Sequence, residues 1–392
     1  MKINEATTAF IREHQDDNPR ELALRGCKLP DVDFHMAIQQ IQGRQKAQSK
    51  LPDFYANEQI WYPATVSLEQ CSSSATAEYK ASLIEGSTFV DFSGGFGVDT
   101  FAFAKKFKLC QYVEFQPELC QIAEHNAAIL NIHNIQFHCG NMEEMLPQME
   151  PVNTIYLDPS RRDEHGNRVI SIEQCSPNIS ILKDSLLEKA NRIMVKLSPM
   201  IDLKQTIRTL PEVESAHIVS VNGECKEILL LMTKGDHTNR TFVAADIRSD
   251  KTHTFSFTEN EELTATPQLA VHLQKYLLEP NASVLKAGAF KTIATRFGLQ
   301  KLHPHSHLYL STTPIEDFPG RIFEIIDCFV PNKKAIKEHL KDIRQANVSI
   351  RNFPLTAESL KQKLKLSDGG DIYLFGTTWH NDERIILVSR KC

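Results

Sequence analysis

Two runs of this 392-residue chain hold the groups best spaced to do chemistry: Val90-Asp91-Phe92-Ser93-Gly94-Gly95-Phe96-Gly97-Val98-Asp99, and Tyr156-Leu157-Asp158-Pro159-Ser160-Arg161-Arg162. In the first, an apolar strand, Thr88 to Phe92, enters a glycine-rich turn, and a helix is predicted from Val98 to Phe107. Glycine takes positive φ and lets a ligand approach the backbone without a Cβ in the way. The helix N-terminus beyond it offers unpaired N–H groups. Together they make a cradle for a nucleoside cofactor. In the second run, a buried strand, Asn153 to Leu157, delivers Asp158-Pro159 at its carboxyl end, the edge where ligands lie in open α/β sheets.

What the turn lacks narrows the cofactor. A dinucleotide fingerprint places a third glycine three residues after Gly97, where this chain has Thr100. No Gly-Lys-Ser/Thr follows, so a P-loop is excluded as well. Asp91 stands four residues before Gly95 and six before Gly97. The next strand, Gln111 to Phe115, ends in Glu114, 17 residues after Gly97, as a βαβ unit requires. The Glu114 carboxylate can accept both hydroxyls of a ribose, and Phe115 offers an apolar face to a base. A third strand, Asn134 to Cys139, reaches Gly140-Asn141-Met142.

These ordered motifs resemble those of the class I S-adenosylmethionine (SAM)-dependent methyltransferases. The resemblance implies a Rossmann-like seven-stranded α/β domain with SAM as cofactor. It places Asp91 toward the ammonium of SAM, directly or through water, and Gly95 and Gly97 under the methionine portion. Glu114 and Phe115 fall at the ribose and adenine, and Asn141 at the adenine amino edge. Ser93, Asp99 and Met142 complete the expected cofactor set. An Asp/Asn-Pro-Pro-aromatic tetrad grips an exocyclic amine in part of that family. Here Ser160 replaces its second proline and Arg161 its aromatic, so Asp158, Pro159, Ser160 and Arg161 are the expected acceptor-side residues without a defined base. Arg161 and Arg162 fit either a phosphate clamp or ion pairs with Asp163 and Glu164. Asp-Pro-x-Arg also resembles enzymes that methylate carbon 5 of uridine through a cysteine thiolate. Those need a cysteine just after the fifth strand, where this chain has Ser198-Pro199-Met200. Direct transfer is therefore expected, and Cys225, next to the turn signal Asn222-Gly223, is read as structural.

The length suits two to four domains. With 41% hydrophobic and 24% charged residues, the composition is that of a globular protein. No apolar run approaches membrane-spanning length, and the start Met1-Lys2-Ile3-Asn4-Glu5 has no signal core, so a cytoplasmic protein without membrane contact is expected. Nine cysteines lack any Cys-x-x-Cys pair, which points to reduced thiols and no zinc framework. His303, His305 and His307 alternate in what reads as an exposed linker, and no metal is expected. A net charge of -5 gives no global attraction to nucleic acid.

Residues 1–85 read as a helical segment (Glu5 to His14, Asn18 to Leu24, Asp31 to Gly43, Ala75 to Leu83). Residues 86–235 form the methyltransferase domain. In the helical segment, Gln70 or Ser72 stands where such enzymes cover the methionine end, while Ser73 or Ser74 suits a helix cap. Residues 236–307 read as a small α+β, ferredoxin-like domain. Its predicted strands are Arg240 to Ile247, Thr252 to Phe257 and Ser283 to Gly288, and its helices Pro267 to Tyr276 and Phe290 to Phe297. The last part, 308–392, carries strands Phe318 to Val330, Asn347 to Phe353, Asp371 to Thr377 and Arg384 to Ser389, with helices Lys333 to Arg344 and Thr356 to Leu364.

Between residues 333 and 365 nine basic residues face three acidic ones. This is either a phosphate-binding face or a pair of solvated helix faces. Lys333, Lys337 and Lys341, at helical spacing, are the RNA-binding candidates together with Arg162. The stretch Leu364 to Gly376 resembles that of class I methyltransferases with a THUMP-like C-terminal domain. That resemblance implies an RNA substrate, tRNA or rRNA. The alternatives are a methyltransferase of a small molecule or protein, or an RNA-binding protein that has lost catalysis. The motifs encode neither base, atom nor oligomeric state.

Overall fold

The computed structural model describes residues 3–160 and 171–392, so Arg161 and Arg162 lie outside the described residues. The chain divides into two units, Met1–Ser215 with Glu227–Thr238, and Ala216–Lys226 with Asn239–Cys392.

The first unit begins with helices α1 (Glu5–Glu13), α2 (Pro19–Arg25), α3 (Phe34–Lys50), α4 (Pro52–Tyr55), α5 (Thr65–Gln70) and α6 (Ser74–Ser82). Their starts are set by side-chain caps: Asn4, Asn18, Asp33 and Ser73 each accept a bond from a first-turn backbone N–H. Phe10, Leu22, Ala37 and Ile41 close a small core of their own. From Ala47 onward the helices pack into the core that holds Phe89 and Phe103.

Strands and helices then alternate: β1 (Gly86–Asp91), α7 (Val98–Ala104), β2 (Phe107–Glu114), α8 (Pro117–Ile129), β3 (Ile135–Cys139), α9 (Met142–Met145), β4 (Val152–Leu157), α10 (Ile179–Lys189), β5 (Ala190–Leu197), α11 (Leu203–Thr209), β6 (Val213–Val221) and β7 (Glu224–Met232). The strand order runs β3-β2-β1-β4-β5-β7-β6. β1 through β5 pair in parallel and β7 runs antiparallel to β5. Order reverses between β1 and β4, and the crevice outside their carboxyl ends is where ligands bind in such sheets. Asp91 is paired with Tyr156, so the glycine turn and Asp158 leave the sheet side by side. Asn222 and Gly223, at φ 51° and 80°, turn the chain between β6 and β7. Helix α7 stops at Ala104, short of the expected Phe107, because Phe107 opens β2 opposite Gly86 and packs on Phe89.

In the second unit β8 (Thr241–Ile247) pairs antiparallel with β9 (Thr252–Thr258), and α12 (Glu259–Thr264) starts at a capping box of Thr258 and Glu261. There follow β10 (Tyr276–Pro280), α13 (Ala282–Ala287), α14 (Thr292–Arg296), β11 (Gln300–Lys301), β12 (Tyr309–Ser311), β13 (Gly320–Phe329), α15 (Lys333–His339), β14 (Asn347–Arg351), α16 (Ala357–Leu364), β15 (Ile372–Thr378) and β16 (Arg384–Lys391). Their sheet runs β11-β12-β10-β13-β16-β15-β14.

Four expectations for this unit are corrected. The helix Pro267 to Tyr276 does not form. Instead the backbone around Gln268 and Ala270 bonds to Lys301, and Tyr276 opens β10. Ser283 to Gly288 is helical rather than extended: Asn281 caps α13, and Gly288 at φ 83° ends it. Helix α15 ends at His339, so Lys341 lies beyond it, off the face of Lys333 and Lys337. Of the alternating histidines only His305 is exposed. His303 is buried with Nε2 3.1 Å from Asp382, and the His307 ring stacks on Phe290 at 3.7 Å. Among the described residues, no group of three or more His, Cys, Asp or Glu could hold a metal ion, and no helix is long and apolar enough to cross a membrane.

Candidate active site

The glycine turn is built around Asp91. Its carboxylate is 1% exposed and accepts from the Ser93 N–H (2.8 Å), the Ser93 hydroxyl (3.0 Å) and the Thr100 hydroxyl (2.6 Å). Burial pushes its pKa up to about 7, against the pull of the Thr100 and Ser93 hydrogen bonds. Asp91 therefore holds the turn together from inside the sheet. Gly94 lies on the Tyr112 ring, where a Cβ would come within 2.3 Å of a ring carbon, and the Tyr112 hydroxyl donates to Gly95 O at 2.6 Å. Gly95, at φ 52°, faces open space: a Cβ there would meet only Ser93 O, at 3.6 Å. Gly97, at φ 87°, caps α7.

Glu114, at the end of β2, is 7% exposed, and its two carboxylate oxygens accept from the Gly95 and Gln116 N–H groups, each at 2.9 Å. A carboxylate oxygen has two lone-pair sites, so each keeps one for a ribose hydroxyl. Phe115 follows with 65% of its surface exposed, an apolar face for a purine. Asn141 is exposed at the start of α9, its side chain unused as a cap, and Met142 is buried beside it. An open glycine rim, a carboxylate with spare acceptors and an exposed ring suit the amine, hydroxyl and purine groups of SAM.

Asp158 and Pro159 leave β4 next to this rim. The Asp158 N–H donates to Ser93 Oγ at 2.8 Å, which joins the two loops directly. Pro159 is buried, while Ser160 is exposed and exchanges backbone bonds with Ser176. Behind Asp158 lies a buried ionic cluster. Lys196 Nζ sits 2.5 Å from Asp158 Oδ2 and 3.8 Å from Asp99 Oδ2. Lys80 Nζ reaches Glu227 at 2.7 Å and Asp99 at 3.3 Å. Ser72 and Tyr156 donate their hydroxyls to Asp99 at 2.8 and 2.9 Å. Burial alone would raise the Asp99 carboxyl, but Lys80 and Lys196 outweigh it and hold its pKa below the ordinary value. For Lys196, burial pulls downward and is overcome by Asp158, Asp99 and Glu227, which hold the pKa well above that of a free lysine. Burial raises Glu227, opposed by Lys80. Burial, and then Asp99, push the Tyr156 phenol far upward.

The structure thus brings Ser93, Gly95, Gly97 and Glu114 to one rim, with Asp91 buried beneath it. Asp99, expected to face the cofactor, instead turns into the ionic cluster. Ser72 joins it there, Ser73 caps α6 and Gln70 is exposed. Sequence reasoning missed Lys80, Lys196, Glu227 and Tyr156. The readable signal was a lysine inside the apolar run Ile193 to Leu197 and a glutamate at the head of Ile228 to Met232. Lys333 and Lys337 are exposed on α15, and Lys341 is exposed beyond it.

Comparison with known proteins places the chain. A family model of a ferredoxin-like domain matches residues 276–319, and one of a THUMP-like domain matches residues 320–391. An S-adenosylmethionine-dependent methyltransferase of Mycobacterium tuberculosis H37Rv is 21% identical over 332 residues, 82% of this chain and 87% of the relative. Over 99 residues, 24% of this chain and 16% of the relative, this chain is 31% identical to human tRNA (uracil-5-)-methyltransferase homolog A. The crystal structure of a methyltransferase-family protein from Porphyromonas gingivalis W83 matches along 100% of both chains, with 34% identity and a TM-score of 0.90. The chain therefore belongs to the SAM-dependent methyltransferases, and it carries ferredoxin-like and THUMP-like domains toward its carboxyl end.

Proposed function

We propose that this enzyme methylates RNA, tRNA or rRNA, in the cytoplasm by direct transfer of the SAM methyl group to an acceptor held at Asp158-Pro159. The observation that carries the reading is the 2.8 Å bond from the Asp158 N–H to Ser93 Oγ, which fixes acceptor loop and cofactor rim to one another. SAM supplies an electrophilic methyl and its own leaving group. The protein's work is then alignment, which is where proximity contributes most. Glu114 would hold the ribose, Phe115 and Asn141 the adenine, and the Gly95 rim the methionine end. The Asp158 carboxylate accepts an N–H or O–H from the acceptor and orients it. The end of β5 carries Ser198-Pro199-Met200 in place of a thiol, so the acceptor uses its own lone pair rather than a covalent adduct. The RNA assignment is supported by the THUMP-like segment and by the stretch shared with the tRNA methyltransferase relative.

The test is incubation of the purified protein with methyl-labelled SAM and total RNA from cells lacking the gene. Label in RNA, lost with Asp158→Ala while S-adenosylhomocysteine still binds, is the expected result. Label confined to protein or small-molecule fractions would overturn the RNA assignment.

A further inference from the structure

We propose that Lys196 is the positioning residue of the acceptor site: a buried ammonium, fixed from behind, that clamps one oxygen of Asp158 and leaves the other to receive the acceptor. The inference rests on the reading that Asp158 orients the acceptor. It follows from how the partners are distributed. In the β4–β5 register Leu157 pairs with Val195, so Asp158, just past the end of β4, stands level with Lys196 on β5. Lys196 Nζ touches Asp158 Oδ2 at 2.5 Å, and among the described residues it is the only side chain paired with that carboxylate. Asp158 is 36% exposed and Lys196 12%, so the pair has one face open to an acceptor and its cation turned inward.

The other members of the cluster have partners enough without Asp158. Glu227 has Lys80, and Asp99 has Lys80, Ser72 and Tyr156. Lys196 keeps Asp99 at 3.8 Å and Ser72 Oγ at 3.4 Å even if Asp158 is removed. Asp158 depends on Lys196 to stay oriented, while Lys196 has further contacts of its own in Asp99 and Ser72. A carboxylate free of its clamp would swing toward solvent, and misplacement by about 1 Å is enough to cost about a hundredfold in rate.

The experiment compares wild type, Asp158→Asn, Lys196→Met, Lys196→Arg and the double variant Asp158→Asn/Lys196→Met. Rates are read as methyl transfer from labelled SAM to total RNA, and S-adenosylhomocysteine binding by calorimetry reports an intact fold. Lys196→Met is expected to lower kcat about a hundredfold with the affinity for S-adenosylhomocysteine unchanged. Lys196→Arg should recover much of the rate. The double variant should be no slower than Asp158→Asn alone, because residues acting as one unit are not additive. A merely structural lysine would instead weaken cofactor binding and add its loss to that of Asp158→Asn; that result, or a wild-type rate in Lys196→Met, overturns the inference. If Lys196→Met does not fold, Lys196→Gln replaces it. A wild-type rate in Asp158→Asn would overturn the acceptor reading itself. If label enters protein or small molecules, the RNA reading falls and the same rates are taken on that fraction.

Discussion

Replacing Glu114 by glutamine changes one atom and removes one charge, yet the geometry makes it a severe test of the cofactor site. The two carboxylate oxygens accept from the N–H groups of Gly95 and Gln116, each at 2.9 Å. A glutamine offers one oxygen and one NH2 to two donors, so one backbone N–H faces another donor. The Glu114 side chain is only 7% exposed, so the lost partner is poorly replaced by solvent. Loss of a hydrogen bond to a charged group costs about 1.5–3 kcal/mol, or about 10- to 150-fold in affinity. Because the Gly95 N–H is part of the glycine rim, the loss falls on the cofactor as well as on the fold. Calorimetric titration of Glu114→Gln with S-adenosylhomocysteine should show that drop. A variant that melts like wild type and binds within twofold of it would refute the assignment of Glu114 to the ribose.

Three further outcomes are expected. The Asp91 carboxyl, pushed up to about 7 by burial, binds a proton in the folded state that the unfolded chain releases near pH 4. Its contribution is therefore full below about pH 4 and declines as pH rises toward 7, by at most about 4 kcal/mol for three pH units. Urea unfolding of wild type and Asp91→Asn, whose amide stands in for the neutral carboxyl, should converge at low pH and diverge as pH rises toward 7 and wild type loses stability, and parallel profiles would contradict this. Gly94→Ala forces a Cβ to within 2.3 Å of the Tyr112 ring, which is itself tied to Gly95 O. Overpacking of this kind costs about 1–3 kcal/mol, so a melting temperature equal to wild type would mean that the turn opens freely. Lys333→Glu/Lys337→Glu, on the exposed face of α15, should weaken RNA binding and lower the salt dependence by up to about two counterions, with S-adenosylhomocysteine affinity unchanged. Filter binding across a salt series reads both, and an unchanged slope would remove α15 from the RNA surface.

The turn and strand ends proposed to hold the cofactor were legible in the sequence because their signals are local. Strand, glycines, helix start and the carboxylates at the ends of β1 and β2 all lie within 24 residues, Asp91 to Glu114. What the sequence could not give was the direction in which each carboxylate faces. Asp91 and Asp99 have the residue types of ligand contacts, but Thr100 and Ser93 consume the first and Tyr156, Ser72 and Lys80 the second. The Lys80–Glu227 pair spans 147 residues, beyond any periodicity argument. Near Ser283 the helix was encoded by its ends, Asn281 and Gly288, and was misread from its middle. The Pro267 to Tyr276 segment shows the converse: helical spacing there yielded to backbone bonds with Lys301.

The ionic cluster behind Asp158 is costly to build. Asp99, Asp158 and Glu227 meet Lys80 and Lys196, and burying such groups removes hydration that their attraction repays only with good geometry. Apolar residues of the same size would often hold a sheet as well, so packing alone does not account for five charges at the carboxyl ends of β4 and β5. Charges do specify direction. Tyr156 and Ser72 point at Asp99, Asp99 and Ser72 back Lys196, and Lys196 points at Asp158. The Asp158 N–H is meanwhile held by Ser93 on the cofactor rim. Asp158 is thus fixed at its backbone by Ser93 and at its side chain by the cluster. In the proposed in-line transfer, that double constraint is what would align the acceptor with the methyl donor.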